Sequence, residues 1–159
     1  MTIKYRKILV PLDGSELGEA ALAHVMYLAP LSGADVTLLY VVPKIEDVIG
    51  SPRMPIPIDT QWDVLSTQAH QYLAGVVRRS GWGASKVHVA VETGSVAEII
   101  LTVTAREQMD LIAMSTHGRS GVRRWVLGSV AEKVLHAASA PVLLIRPPSI
   151  TGEPAFHTR

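Results

Sequence analysis

Residues 114–132 carry the side chains and backbone features best suited to bind an anion. Glycine lets a backbone approach a ligand closely, and the start of a helix offers unpaired N–H donors at the positive end of a dipole. Arginine adds planar cations that match phosphate oxygens. The stretch contains Gly118, Gly121, Gly128, Arg119, Arg123 and Arg124, with a helix expected from Ser129. The pattern predicts an anion site and favours a nucleotide polyphosphate as its occupant.

The charged side chains of this stretch leave alternatives open. Arg119 is close enough in sequence to reach a phosphate, and His117 either adds positive charge near neutral pH or packs locally. Arg123 and Arg124, which precede Trp125, suit a phosphate contact, a solvated face or a subunit contact.

Five short aliphatic runs alternate with four helical patterns, and these elements must position the anion site. Runs that are apolar throughout are typical of strands buried on both faces, and apolar residues at helical spacing indicate the helices. The alternation predicts an α/β fold with a five-stranded, mainly parallel, doubly wound sheet and helices on both faces. The predicted strands are 7–11, 36–42, 86–91, 110–114 and 141–145, and the predicted helices are 15–31, 61–79, 95–107 and 129–138.

Helix starts are predicted from serine caps. Ser15 should cap the first helix, and the pentapeptide Gly-Ser-Val-Ala-Glu occurs twice, at 94–98 and 128–132. Each copy predicts a capping box, in which the serine hydroxyl and the glutamate carboxylate each accept from the other residue's backbone N–H. Such a box alone indicates only a helix start. The second copy differs because the glycine-bearing loop from Ser115 to Gly121 precedes it.

Two segments depart from the alternation of strands and helices. Residues 43–58 contain four prolines and are too long for an ordinary connection, so we expect a mobile loop that serves as a spacer or as a lid over a ligand. Residues 1–147 are expected to form one domain, and the proline-broken tail, 148–159, is expected to be loose.

Composition excludes several classes of protein. The chain has 159 residues, of which 48% are hydrophobic and 18% charged, so global disorder is excluded. A net charge of +1 provides no basic field for nucleic acid, and the lack of cysteine excludes disulfides and thiolate metal sites. No leader pattern, membrane-length apolar run or metal-ligand spacing of histidines is visible. We expect a cytoplasmic protein with no membrane contact, no nucleic-acid partner and no dedicated metal site.

Ligands of open parallel sheets bind beyond the carboxyl ends of the strands, where the winding reverses. Residues 11–15, 41–42 and 115–118 should meet there. Asp13 offers an acceptor suited to ribose hydroxyls, although it could equally shape a turn with Ser15. A Walker-type loop is missing, and no Gly-x-Gly-x-x-Gly follows the first strand.

Taken together, these motifs resemble the ATP-binding branch of the universal stress protein family. That family's signature is Gly-x2-Gly-x9-Gly-[Ser/Thr]. Here Gly118 is followed after nine residues by Gly128 and Ser129, whereas Ser115 stands at the first glycine position. The opening at 8–15 and the closing at 140–146 are also typical of the family, so the resemblance spans roughly residues 4–147.

The resemblance implies a Rossmann-like fold of the adenine nucleotide alpha-hydrolase type that binds ATP, with Mg²⁺ carried by the phosphates. It implies that Asp13 holds the ribose and that Val41 presents backbone groups to the adenine. Pro11 and Met114 would line the base pocket. The phosphates would be held by the Gly118 N–H, the Gly128-Ser129-Val130 backbone and the Ser129 hydroxyl. The other residues assigned to the site are Leu12, Ser115, His117 and Arg119.

The function expected from the resemblance is a nucleotide-dependent switch in the stress response. Hydrolysis would be slow at most, because the sequence offers no convincing general base. Ser115 and Ala131 depart from the ATP-binding pattern and favour the alternative, a nucleotide-free dimerisation or signalling module. A third hypothesis is a true hydrolase or nucleotidyl-transfer enzyme. A homodimer formed through the last strand is expected, because an apolar strand at a sheet edge favours pairing with another copy.

Overall fold

A parallel sheet forms the centre of the protein in a computed structural model that describes residues 4–44, 58–82, 85–116 and 127–147. Within these ranges the sheet has five strands in the order β3-β2-β1-β4-β5. Every neighbouring pair is parallel. The strands are β1 (Lys7–Leu12), β2 (Asp35–Val42), β3 (Val87–Thr93), β4 (Leu111–Ser115) and β5 (Val142–Ile145).

The helices of the described ranges divide between the two faces of the sheet. They are α1 (Ala20–Ser32), α2 (Ile58–Arg79), α3 (Val96–Arg106) and α4 (Ser129–Ala137). Buried residues of α1 and α2 share one core cluster with the sheet, and those of α3 and α4 share another. The predicted doubly wound α/β fold is confirmed.

The position of each strand in the sheet determines its burial. All five residues of β4 are buried, and β1 is buried over most of its length. The edge strands β3 and β5 are mostly intermediate or exposed. Successive residues of a strand face opposite sides, so Ile8 and Val10 pack under α1 and α2 whereas Leu9 packs under α3 and α4. The apolar runs therefore serve two cores at once.

The first helix begins at Ala20, so the predicted cap at Ser15 is wrong. Glu19 is the N-cap, and its side chain makes no capping hydrogen bond. The Ser15 hydroxyl is instead engaged in a tight turn, where it donates to Asp13 Oδ1 at 2.6 Å and accepts from the Gly18 N–H at 3.0 Å.

Neither predicted capping box forms, although both helices are present. Ser95 is the N-cap of α3 without a side-chain bond, whereas Gly128 is the N-cap of α4 and Ser129 is already helical. The two copies start their helices one residue apart because their glycines differ in backbone conformation. Gly94 has φ +148°, whereas Gly128 has φ −61°. The Gly94 N–H donates to Val42 O at 3.1 Å, and that of Gly128 donates to Thr116 O at 2.9 Å.

Several sequence predictions concern the ends of the described ranges. β5 pairs with β4 and lies at the sheet edge, as expected. Of the predicted loop at 43–58, residues 45–57 lie outside the described residues and Ile58 already belongs to α2. The predicted loose tail at 148–159 also lies outside them.

Among the described helices, none combines the length and apolar character needed to cross a bilayer.

Truncation of Leu73 is expected to destabilise the protein strongly. Leu73 lies on α2 and is fully buried, so Leu73→Ala should lower the free energy of unfolding by about 2–5 kcal/mol through lost burial and a residual cavity. The matched control is Leu135→Ala on α4, where the side chain is 46% exposed and the loss should stay within about 0.5 kcal/mol. Urea unfolding measures both changes. Equal losses for the two variants would contradict the assigned core.

Candidate functional site

A crevice of about 310 Å³ opens at the carboxyl ends of β1 and β4. The paired positions of these two strands are Ile8 with Leu111 and Leu9 with Ile112. β4 continues in register with β5 to Ser115, whereas β1 continues with β2 to Leu12. The crevice is therefore placed where β1 and β4 cease to pair, at the position where the winding of the sheet reverses.

Nine of the residues predicted for the site line this crevice. They are Pro11, Leu12, Asp13, Val41, Met114, Ser115, Gly128, Ser129 and Val130. The remaining three, His117, Gly118 and Arg119, lie outside the described residues, as do Gly121, Arg123, Arg124 and Trp125.

A tight turn holds Asp13, which lines the crevice. Asp13 Oδ1 accepts from the Ser15 N–H at 3.0 Å and from the Ser15 hydroxyl at 2.6 Å. Gly14, between them, has φ +84°, a backbone conformation that favours glycine. The turn fixes the carboxylate beside the end of β1. The two alternatives considered for Asp13 are thus compatible, because the residue that shapes the turn also lines the crevice.

Gly18 lines the crevice but was not among the predicted site residues. A Cβ added there would lie 2.4 Å from Asp13 Oδ1 and 3.1 Å from Ser15 Oγ. No real side chain tolerates the first distance, so a larger residue must push the carboxylate away from Ser15. The absence of a side chain at position 18 therefore keeps Asp13 in place.

The inner wall of the crevice is apolar. Val41 and Met114 are 7% and 6% exposed, and Leu39 and Ile100 are fully buried beside them. The pairing of β1 with β2 ends at Leu12 and Tyr40, so Val41 lies one residue beyond it. This wall can take a flat apolar group, with the Val41 backbone at its edge.

Another part of the crevice lining is the start of α4. The first N–H groups of a helix have no partner within it, and here they belong to Ser129, Val130 and Ala131. The N–H of Gly128 does not join them, because it donates to Thr116 O at 2.9 Å. The backbone donors that this helix offers are thus shifted one residue along the chain from the predicted set. They suit an anion, which the helix dipole also favours.

Eight other lining residues were not assigned to the site from the sequence, although the segment 115–118 expected there includes Thr116 and Ala131 was noted as a departure from the family pattern. They are Gly18, Leu39, Tyr40, Pro43, Val96, Ile100, Thr116 and Ala131. Alternation along β2 would have found Leu39, which shares a face with Val41. Val96 and Ile100 are one helical turn apart on α3, but nothing in the sequence says that this helix reaches the crevice. Metal binding gains no support, because the described residues include no cluster of three His, Cys, Asp or Glu side chains.

The sequence model of the universal stress protein family matches residues 4–146, nearly the whole length of the fold described above. The chain belongs to the universal stress protein family. Among its relatives is universal stress protein MJ0531 of Methanocaldococcus jannaschii, which is 34% identical over 149 residues, covering 91% of this chain and 84% of that protein.

Solved structures of the family share the fold. Universal stress protein MJ0577 of the same organism has a structure that superposes with a TM-score of 0.79 at 27% identity, covering 92% of this chain and 99% of that one. A universal stress protein family protein from Arabidopsis thaliana, solved with AMP bound, superposes with a TM-score of 0.62 at 16% identity, covering 89% of this chain and 91% of that one. At that identity the likeness concerns the fold.

Replacing Gly18 is expected to break the Asp13 turn. Gly18→Ala should lower the free energy of unfolding by about 1–3 kcal/mol, because the added methyl group must displace the carboxylate. Gly75→Ala on α2 is the matched control. Its Cβ would meet nothing closer than the end of the Arg79 side chain at 3.5 Å, and alanine should stabilise the helix by up to about 1 kcal/mol. Thermal unfolding of the two variants tests the turn, and a neutral Gly18→Ala would refute it.

Proposed function

We propose that this universal stress protein binds ATP in the crevice between β1 and β4 and acts in the cytoplasm as a nucleotide-dependent switch of the stress response. The observation that carries the proposal is the meeting of three chemistries in one crevice. An apolar slot, a fixed carboxylate and the N-terminus of a helix all line it. These suit the base, the ribose and the phosphates of a nucleotide respectively.

Each part of the nucleotide has a proposed partner. Pro11 and Met114 enclose the adenine, and the Val41 backbone faces its edge. Asp13 accepts from the ribose hydroxyls, since its carboxylate lines the crevice beside the end of β1. The phosphates face Ser129 and Val130 at the start of α4, with Mg²⁺ held mainly by the phosphates and its own waters. Gly118, His117 and Arg119 complete the phosphate side in this proposal.

The family relationship supports a nucleotide as the ligand. The Arabidopsis relative was solved with AMP bound, and it has the same fold. The crevice volume of about 310 Å³ also lies at the lower end of the range for small-molecule pockets. A purine with its sugar is a ligand of suitable size for the described walls.

A switch is favoured over an efficient enzyme. Fast phosphoryl transfer requires a positioned base or water, metal ligands and a charge clamp. In the described part of the crevice, Asp13 is the one carboxylate among the lining residues, and it is held in a turn on the ribose side. We therefore propose slow hydrolysis at most.

Calorimetric titration with Mg-ATP tests the proposal. Binding near one nucleotide per chain is expected, and nucleotide released by acid from the purified protein should contain adenine. The absence of detectable binding at millimolar ATP would overturn the proposed function. It would instead favour the nucleotide-free dimerisation or signalling module. Ser115 is the observation that favours this alternative. It stands at a glycine position of the family signature and is 7% exposed in the crevice wall.

Gly128→Val is expected to abolish ATP binding. A Cβ at this position would lie 3.0 Å from the carbonyl oxygen of Thr116, so the bulkier valine must move the start of α4 away from the end of β4. Gly81→Val is the matched control, because a Cβ there meets nothing within 4 Å. Calorimetry should show binding by the control alone, with circular dichroism confirming that both variants fold. Unaltered affinity in Gly128→Val would exclude α4 from the site.

We also propose that two copies associate along β5. This strand is an apolar edge whose residues Val142, Leu143 and Leu144 are incompletely buried, and such edges favour pairing with another chain. Sedimentation velocity at tens of micromolar protein should give the mass of a dimer. A folded monomer under these conditions would rule out this assembly.

A further inference from the structure

A cluster of three side chains ties α2 to the start of α1. The Tyr72 hydroxyl donates to Glu19 Oε1 at 2.8 Å, and the Arg79 guanidinium pairs with the same oxygen. Arg79 also lies 6.0 Å from the centre of the Tyr72 ring. Tyr72 and Arg79 are seven residues apart on α2 and so share one face of that helix. Glu19 is the N-cap of α1, so α2 holds the residue at which that helix begins.

A chain of hydrogen bonds continues from Glu19 to the crevice. The Glu19 N–H donates to Ser15 O at 3.2 Å, and the Ser15 hydroxyl donates to Asp13 Oδ1 at 2.6 Å. Gly18, next to Glu19, lies beside the Asp13 carboxylate, where an added Cβ would be 2.4 Å from Oδ1. A shift of Glu19 is therefore transmitted to Asp13 through the backbone of the five-residue turn from Ser15 to Glu19.

The ring of Tyr72 reaches the crevice by a second route. It packs edge-on against Tyr40, with ring centres 5.8 Å apart and planes at 67°. Tyr40 lines the crevice and precedes Val41 on β2. The hydroxyl of Tyr72 thus bears on the Asp13 turn through Glu19. Its ring bears on Tyr40, in the α1–α2 layer of the sheet rather than on the apolar wall.

The electrostatic surroundings of Tyr72 keep its hydroxyl a hydrogen-bond donor to Glu19. Burial, followed by the hydrogen bond to Glu19 and the charge of Glu19, raises the pKa of Tyr72 above its usual value. Because its pKa is raised, the Tyr72 hydroxyl stays protonated and able to donate at neutral and moderately alkaline pH. The Arg79 side chain is 51% exposed and that of Glu19 23%, so this ion pair adds little to global stability. Its main effect is to keep the Glu19 carboxylate pointed at α2.

We propose that Tyr72 is a positioning residue that holds the ribose end of the crevice in shape through Glu19 and Tyr40. In this proposal Tyr72 sets how strongly the protein discriminates in favour of sugar hydroxyls. The proposal rests on the proposed function, because it assigns Tyr72 a part in the same nucleotide site. Tyr72 does not touch the ligand; it acts through Asp13 and Tyr40.

The test compares ATP with 2′,3′-dideoxy-ATP in calorimetric titrations of Tyr72→Phe. The ratio of the two dissociation constants reports the contribution of the ribose hydroxyls. Loss of the Tyr72 hydroxyl is expected to reduce that ratio by about two- to tenfold. A general loss of protein stability would weaken the binding of both nucleotides by the same factor and leave the ratio unchanged. Glu19→Gln, a nearly isosteric change at a partly exposed side chain, should act in the same direction.

Tyr27→Phe is the matched control, since it removes the same hydroxyl from a residue of α1 that is 70% exposed. It should leave the ratio at the wild-type value. An unchanged ratio in both Tyr72→Phe and Glu19→Gln would overturn the proposal while ATP binding by the wild type still stands. A wild type that binds neither nucleotide would instead overturn the proposed function itself.

Amide hydrogen exchange of the nucleotide-free protein tests the role of Tyr72 independently of whether the protein binds ATP. The Ser15 and Gly18 N–H groups donate to Asp13 Oδ1 and Ser15 Oγ, so their exchange reports the turn directly. In Tyr72→Phe they should exchange at least about twofold faster relative to the Val36 amide of β2. Unaltered relative exchange would refute the link between Tyr72 and the Asp13 turn, whatever the protein binds.

Discussion

The short pairing between β1 and β4 is the constraint on which the candidate site depends. These strands are the most buried in the sheet, yet their register covers Ile8 with Leu111 and Leu9 with Ile112. Beyond these two pairs, β1 continues to pair with β2, and β4 continues to pair with β5. The chain then leaves β1 toward the α1–α2 layer, and α4, which follows β4 in the element order, packs in the α3–α4 layer. A crevice at this place results from the winding of the sheet and requires no special loop.

Tertiary context overrides local helix signals on both sides of that crevice. Ser15 has a suitable residue type for an N-cap, but its hydroxyl bonds to Asp13 and Gly18, so α1 starts later. The pentapeptide at 94–98 and 128–132 starts its helix in two different registers, because Gly94 takes a positive φ and Gly128 does not. The second register makes Gly128 the anchor to Thr116 and leaves the next residues as donors.

These cases show which features a single sequence can predict here. The strands and the order of elements follow from apolar runs, because burial on two faces leaves a strong compositional signal. The crevice-lining residues on β1, β2 and β4 follow from the rule for parallel sheets. The contributions of Gly18, Tyr40 and Ile100 could not be read in the same way. Gly18 depends on the exact geometry of a short turn, which residue types alone do not specify. Tyr40 and Ile100 depend on contacts between elements distant in sequence, α2 with β2 and α3 with the crevice.

The Glu19 cluster illustrates why a contact can matter for a site without mattering much for the fold. An exposed ion pair contributes little to stability, since solvent screens it and side-chain entropy opposes it. Its geometry nevertheless fixes where α1 starts, and the turn immediately before that helix holds Asp13. A displacement of a fraction of an ångström is nearly neutral for a surface helix. The same displacement is large for a carboxylate that must meet a hydroxyl at hydrogen-bond distance. The weak interactions around the crevice therefore govern its chemistry, while the two apolar cores govern the stability of the fold.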